Sequence, residues 1–594
     1  MKKIIIDTEI YSNYFLFAAK CVETGKVIHL ELHEDQPLDL AVLSNIMRKN
    51  TTISFNGNNF DLPIIVAAMS GWNNAQIKKL CDSIIGSNRS AYRTYQDNNL
   101  PCPKWDHIDL IEVAPGMSSL KIYGGRLHSK KLQDLPIEPS ALISPEQREE
   151  LRKYCENDLQ TTQELYQALI PQITLRESMT EQYGMDLRSK SDAQIAETVI
   201  SSELQKITGK KPSRPTVADD AKFYYQDPEI VSFKSEQLNN ILARVIKEPF
   251  TLGINGALVL PDWLKKEDIK ISGRKYQMGI GGLHSCEKSQ YIPHKEGWFT
   301  CDFDVASYYP SIILQQKLAP KSMGKPFLKL YKSFVTERLE AKKSGNKVTA
   351  DVLKIFLNGS FGKLGSKYSN LYAPELLLQT TITGQFCLLM LIEAMEENGI
   401  AVMSANTDGI VCHAPNEMMD VANEVCFDWM LETGYILEQT DYTCIAMLNV
   451  NNYAAVKTDG KIKGKGIFAS TGLAKNPNCS IVQKAVAYCV ARNIPVEQTI
   501  MECNDITQFV TVRKVTGGAT WQGGYLGKAV RFYYSSEVDK ETCIHYAKNS
   551  NRVPMSGGAR PLMDLPDIFP QDVDYPVYIS MANELLKEVG YDKA

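Results

Sequence analysis

Apolar and polar positions along this 594-residue chain change period from place to place, and the changes outline its elements. Trp298 to Phe303 is an aromatic and apolar run that predicts a short buried strand, with Asp302 and Asp304 at its end. Tyr308-Tyr309-Pro310-Ser311 opens a new element, and proline suits the first turn of a helix, where its missing N–H costs nothing. The stretch therefore predicts strand, tight turn, helix. Ile400 to Met403 and Ile410 to Val411 flank Asn406-Thr407-Asp408-Gly409, the pattern of a hairpin whose turn carries one acid. Between these two stretches, Lys354, Asn358 and Phe361 follow i, i+4, i+7 spacing and share a helix face. Arg338 and Lys342 are likewise four apart.

Nearer the start, Lys2 to Ile6 predicts a first strand ending in Asp7 and Glu9, which are two apart and so point to one side. A strand pair follows through Phe15 to Leu32, with Glu23-Thr24-Gly25 as its turn. Ile53 to Phe55 leads through a polar turn to Asp61, and Tyr154 and Asp158 are four apart on one helical face. Asp192 to Gln205 reads as helical, and Gly209 to Pro215 as a polar turn. Gly281 and Gly282 allow close backbone approach, here expected toward a phosphate. Asn452 to Gly466 has the pattern of a basic hairpin containing Lys463 and Lys465.

Composition narrows the class. The length predicts several domains, and 44% hydrophobic with 23% charged residues fits a soluble, cytoplasmic globular protein. The start MKKIIIDTEIY has acids where a signal peptide needs an apolar region, and no run is expected to reach the roughly 20 apolar residues of a membrane span. Fourteen cysteines without a CxxC pair speak against a zinc ribbon or a disulfide framework. A net charge of −4 means that contact with a nucleic acid must come from local basic tracks. Two such tracks stand out. Ser119 to Lys131 carries four cations and no acid, while Ile506 to Ser536 carries Arg513, Lys514, Lys528 and Arg531, again without an acid, among Trp521, Tyr525 and Phe532 to Tyr534.

The acids suggest the chemistry. Asp304 and Asp408 offer hard oxygen ligands for magnesium, and two such ions about 3.5 to 4 Å apart can support in-line phosphoryl displacement. Arg338, Lys342 and Lys354 would converge on a triphosphate. Asp7, Glu9, Asp61 and Asp158 suggest a second two-metal site, with water as nucleophile and Tyr154 orienting it.

These residues resemble motifs of the family B DNA polymerases, in particular the compact bacteriophage type. Asp304-Val-Ala-Ser307-Tyr-Tyr309-Pro-Ser311 is similar to motif A, Lys354 to Gly362 to motif B, and Asn406-Thr-Asp408-Gly to motif C. The resemblance implies that Asp304, Asp408 and the backbone of Val305 hold the catalytic metals. It implies also that Tyr309 lies under the sugar of the incoming nucleotide, and that Arg338, Lys342, Lys354 and Asn358 form the nucleotide site. Gly281, Gly282, Lys463, Lys465, Arg513, Lys528 and Arg531 are expected at DNA. Asn406 stands where the family has its first motif C Asp, Gly409 and Gly359 replace serines, Phe361 replaces a tyrosine, and Asn451 and Asn452 stand where lysines are expected. Asp7 and Glu9, Asp61, and Tyr154 with Asp158 resemble the three motifs of DnaQ-like DEDDy 3′-to-5′ exonucleases.

The implied architecture is mixed α/β and multidomain, with an RNase H-like exonuclease ahead of a right-hand polymerase. Expected bounds are exonuclease 1–175, connector 176–275, palm 276–329 and 367–475, short fingers 330–366, and thumb and C-terminal region 476–594. The implied function is template-directed addition of deoxynucleotides to a primer 3′-hydroxyl, with proofreading, in phage genome replication. Magnesium is the expected cofactor, two ions per site, with manganese able to substitute. The expected partners are primer-template DNA, deoxynucleotides and replisome proteins such as a helicase, a single-strand-binding protein or a processivity factor; the expected state is a monomer away from membranes. Only 50 positions separate Asp304 from Lys354, leaving little chain for the insertions of protein-primed relatives, so the expected primer is a nucleic acid. A processing nuclease whose second half only binds DNA, and a non-enzymatic scaffold, are the competing readings.

Overall fold

The computed structural model describes residues 1–87, 90–470 and 472–591. It divides into two compact units, the first of Met1–Ser191, Thr471–Ile481 and Ile500–Tyr578, the second of Asp192–Ser470, Val482–Thr499 and Ile579–Ala594. Both are mixed α/β. The boundary expected at residue 175 falls instead at Ser191, and the region expected over 476–594 is shared between the units. Packing explains both differences. The strands Thr511–Trp521 and Gly524–Tyr534 lie on the helix Leu120–Arg126, joined through Ile122, Val512 and Ala529. Gly125 permits that approach, since a Cβ there would sit 2.6 Å from Val512 Cγ1. The helix Asp192–Thr208, expected in a connector, packs instead on the helix Lys347–Lys363 of the second unit.

In the first unit a five-stranded sheet has the order Val27–Leu32, Tyr14–Cys21, Lys3–Tyr11, Thr51–Ser54, His107–Asp109. The first three strands run antiparallel, and the last two join Lys3–Tyr11 in parallel. Alternation along the central strand sorts its two faces. Ile4, Ile6 and Ile10 enter one core with Leu62 and Ile65, whereas Ile5 and Tyr11 enter another with Leu151, Cys155 and Leu159 of the helix Pro145–Ala168. Asp7 and Glu9 share the parity of that second face. They lie within the strand, not at its end, because pairing with Tyr14–Cys21 continues to Tyr11. Ser144 caps the long helix by accepting from the Gln147 N–H in a capping box, and proline occupies the first turn.

The second unit is built on a ten-stranded antiparallel sheet in which Trp298–Val305 lies between Gly409–Pro415 and Leu437–Asn449. The strand has two unlike faces. Phe299, Cys301, Phe303 and Val305 pack with Ile382, Phe386 and Leu389 of the helix Pro374–Glu397, while Asp302 and Asp304 face the other way. That helix corrects one expectation, for by length and composition it could cross a membrane; 89% of its apolar window is instead buried in the protein. Two consecutive helices, Gly324–Lys343 and Lys347–Lys363, carry Arg338 and Lys342 on the first and Lys354 and Asn358 on the second. A Cβ at Gly359 would stand 2.8 Å from both Asp192 O and Ala196 Cβ, so this glycine, which departs from the motif B pattern, is what lets Asp192–Thr208 pack closely.

Candidate active sites

In the second unit, antiparallel pairing sets Asp304 opposite Gly409, which brings the strand carrying Asp304 against the hairpin turn carrying Asp408. The Val305 N–H donates to the Asp408 carbonyl at 2.6 Å, tying the two together. Thr407 has φ +59°, a left-handed conformation unfavourable for a β-branched residue, so the surroundings must hold the turn. Its N–H donates to Leu283 O at 2.7 Å. Gly282, expected to approach a phosphate, is required here for a different reason: at φ +147° its Cβ would lie 2.9 Å from Thr407 Cγ2. Its close approach is to this turn.

Asp302, Asp304, Asn406, Asp408, Tyr442, Tyr453, Lys463 and Lys465 line a cavity of about 230 Å³. Burial, reinforced by the charges of Asp408 and Asp302, pushes Asp304 up to about 7. Burial also raises Asp408, against the pull of Lys465, and lowers Lys465 itself. Lys463 donates to Asp302 Oδ2 at 3.3 Å and to the Tyr442 hydroxyl at 3.0 Å. Acids that burial discourages from ionising, gathered with their oxygens toward one cavity, suit hard divalent cations.

Tyr309 sits beside this cluster with its position fixed at both ends. Its ring stacks on Phe361 at 4.3 Å and an interplanar angle of 17°, and its hydroxyl donates to Gly281 O at 2.7 Å. Arg338 Nη1 donates to Ser307 Oγ at 2.8 Å, tethering the first of the paired helices to the turn after Asp304. Lys342, Lys354 and Asn358 are exposed.

In the first unit, donor atoms of Asp7, Glu9 and Cys155 all lie within 4.8 Å of one another. Asp61 starts the helix Asp61–Met69, and Thr8 Oγ1 donates to its Oδ1 at 2.6 Å. Asp158 and Tyr154 project from the long helix, where Lys121 ion-pairs Asp158 and lies 4.4 Å from the Tyr154 ring centre. Burial followed by mutual repulsion raises Asp7 well above the carboxylate range, with Asp61, Glu9 and Asp158 all contributing. Glu9 is pushed up to about 8 and Asp61 to about 7, chiefly by burial. The four acids are thus close enough to feel one another, and their donor set again fits hard cations. Asp109, read from sequence as structural, accepts from the N–H groups of Asn56, Asn58 and Ile111 and shapes the loop before Asp61.

The basic tracks come out differently from the sequence reading. Arg531 is fully buried, with Nε donating to Leu562 O at 2.7 Å and Nη1 to Ser129 O at 2.9 Å. Its remaining nitrogen donates to the carbonyls of Lys130 and Met563, so it is a structural clamp unavailable to DNA. In the Ser119–Lys131 track, Lys121 is taken up by Asp158, and Arg126 by Leu473 O and Asn476. Arg513 is half-buried with Nη2 on Met555 Sδ, and Lys528 is exposed. Sequence reasoning missed the parts that Lys121, Thr8, Cys155 and Ser307 play beside the acids. Of these only Lys121 carried a signal, its place in a basic track, and nothing in its spacing from Tyr154 and Asp158 marks it as their neighbour.

No family model matches the chain. DNA polymerase 1 of Saccharolobus solfataricus is a curated relative, 26% identical over 124 residues, which are 20% of this chain and 14% of that protein. The chain therefore matches about a seventh of that relative's length. Among solved structures, the family B DNA polymerase from the hyperthermophilic archaeon Pyrobaculum calidifontis aligns with a TM-score of 0.42 and 13% identity, covering 100% of this chain and 78% of that one. By name, both are DNA polymerases.

Proposed function

We propose that this chain is a template-directed family B DNA polymerase of the compact phage type, with a 3′-to-5′ exonuclease of the DnaQ-like kind in its first unit. The observation that carries the reading is the meeting of Asp304 and Asp408 across one pair of antiparallel strands, on a cavity that also receives Lys463 and Lys465. The second-unit sheet would be the palm and the helices Gly324–Lys343 and Lys347–Lys363 the fingers; the Thr511–Tyr534 hairpin, packed in the first unit, is a less natural thumb.

Asp304, Asp408 and the Val305 backbone would hold two magnesium ions, which when bound lower the charge on the reacting phosphate and the pKa of the attacking hydroxyl. The chain's own residues supply the rest. Tyr309, clamped by Phe361 and Gly281, fills the space beneath the sugar and excludes a 2′-hydroxyl. Arg338, Lys342 and Lys354 neutralise the triphosphate, and Asn358 lies on the same helix face as Lys354. Lys463 and Lys465 line the cavity beside the acids, where a primer backbone would be held. In the first unit Asp7, Glu9, Asp61 and Asp158 would bind the second pair of ions, and Tyr154 would orient the water that cleaves the primer end.

The enzyme would act as a monomer in the cytoplasm of a host cell, extending a nucleic-acid primer, with replisome partners for processivity. One gel assay tests the reading: an annealed, end-labelled oligonucleotide incubated with magnesium should lengthen when deoxynucleotides are present and shorten when they are absent. No lengthening under any divalent cation would refute the polymerase reading, and no shortening the exonuclease reading.

A further inference from the structure

Asn406 lines the cavity between Asp302, Asp304 and Asp408, yet the proposed chemistry leaves it without a task. Its side chain is nonetheless fully engaged. Nδ2 donates to Val450 O at 3.2 Å and faces Asn451 Oδ1 at 3.4 Å, while Oδ1 accepts from Thr407 Oγ1 at 3.1 Å. The next two residues form the turn that presents Asp408, and in it Thr407 is held at φ +59°. The Asp408 N–H returns to Asn406 O at 2.6 Å. One amide therefore reaches from the strained turn to the loop Val450–Asn451, between the strands Leu437–Asn449 and Asn452–Lys457.

We propose that Asn406 is the positioning residue for Asp408, and that the site requires its N–H donor, not a carboxylate. This rests on the polymerase reading above. The physical reason is the character of the opposing loop, which presents a backbone carbonyl at Val450 that can only accept. An aspartate at 406 could still accept from Thr407, but it would set a negative charge against the Val450 carbonyl and leave that carbonyl without its donor. The loop itself cannot easily move away. Asn449 Oδ1 accepts from the Asn451 N–H and from Asn452 Nδ2, each at 3.0 Å, and Asn452 Oδ1 accepts from the Ile467 N–H at 3.0 Å. Gly466 lies so close that a Cβ there would come within 2.2 Å of Asn451 O. The two departures at 406 and 451 then belong together: a neutral amide meets a neutral amide, where an acid at 406 would need a cation opposite it.

The test is a mutant cycle in the full chain, read by primer extension, calorimetric Mn²⁺ binding without nucleotide, and thermal melting. Asn406→Asp should lower kcat about 10- to 100-fold, the scale expected when a reacting group is misplaced, with the nucleotide KM changed less than about 3-fold and Mn²⁺ bound no more tightly. Asn451→Lys in that background should recover at least about half of the loss on a logarithmic scale, because its ammonium can donate to the carboxylate introduced at position 406. Asn406→Ser adds no charge and is too short to reach the Val450 carbonyl, so it gives the same answer if the aspartate variant fails to fold; it should lose activity in a chain that still folds. Undiminished kcat in folded Asn406→Asp or Asn406→Ser, tighter Mn²⁺ binding in Asn406→Asp, or no recovery from Asn451→Lys would each overturn the proposal. An unmodified chain that extends no primer would instead refute the polymerase reading itself.

Discussion

In the first unit Asp61 and Asp158 are buried, Asp7 and Glu9 half-buried, and Lys121 pairs with Asp158, whereas Asp304 and Asp408 are exposed on a cavity of about 230 Å³ flanked by two lysines. The first cluster gathers four acids around one paired lysine. One cation leaves the four acids largely unbalanced, and burial and repulsion together raise Asp7 well out of the carboxylate range. The second cluster leaves its ligands accessible and borrows cations from a separate hairpin, where Lys463 opposes the burial and the acid charges that raise Asp304 to about 7. On the proposed function, the more buried site would take a frayed single strand end and the more open one a base-paired primer with a nucleotide.

The comparison breaks most sharply if the two chemistries are not separable. Asp304→Asn or Asp408→Asn should reduce primer extension by a factor of about 1,000 or more and leave degradation intact, while Asp7→Ala should do the reverse. Loss of both activities in a folded Asp7→Ala protein, followed by circular dichroism, would end the two-site assignment.

Tyr309→Ala should raise the ratio of ribonucleotide to deoxynucleotide incorporation about 10- to 100-fold, since discrimination against an added hydroxyl here depends on pocket shape. Single-turnover kinetics with each nucleotide measures it; an unchanged ratio would remove Tyr309 from that role.

Lys121→Met should sharpen the contrast between the more buried and the more open cluster. Without its ammonium, Asp158 loses the pairing that opposes burial and its pKa rises further. Degradation should then need more magnesium, by about 3- to 10-fold, because a proton competes better for that carboxylate, with extension unaffected. A magnesium titration of each activity reads this directly.

Arg531→Met tests the buried clamp of the first unit. Four carbonyls lose their donor, so melting should fall by an amount equivalent to about 1 to 3 kcal/mol, with DNA affinity unchanged in a gel-shift assay. A loss of affinity at unchanged stability would return Arg531 to the DNA surface.

The smallest effect concerns acid stability. Burial would raise Glu31, but the hydrogen bonds and charge of Arg152 outweigh it, leaving the folded pKa below 4.5. Stability from this pair is therefore fully present above the unfolded value and lost as pH falls through the folded one. Arg152→Met should therefore lower stability near neutrality and flatten its fall below about pH 4.5, so that the two chains converge at acid pH, as urea titrations would record.

Much of this was legible in the chain because it depends on near neighbours. The Trp298–Val305 strand, the turn at 406–409 and the helical face through Tyr154 and Asp158 all follow from periods of two and 3.6, which act over a few residues. Asp7 and Glu9 share a strand face for the same reason, although the strand's true end at Tyr11 depended on its partner.

What only the folded chain decided was which distant groups answer one another. Composition gave Arg531 and Lys528 equal standing as exposed cations, yet one is caged by four carbonyls and the other faces solvent. Gly359 and Asn406 looked like losses from a motif, and Gly282 like a point of close approach to a phosphate. Each proved to be shaped by a neighbour far along the chain: the helix Asp192–Thr208, the turn at Thr407, and the loop at Val450. Periodicity reports which side of its own element a residue faces. It carries no information about the backbone or the charge that another element will set against that side, and the pairing of charge with cavity is decided there.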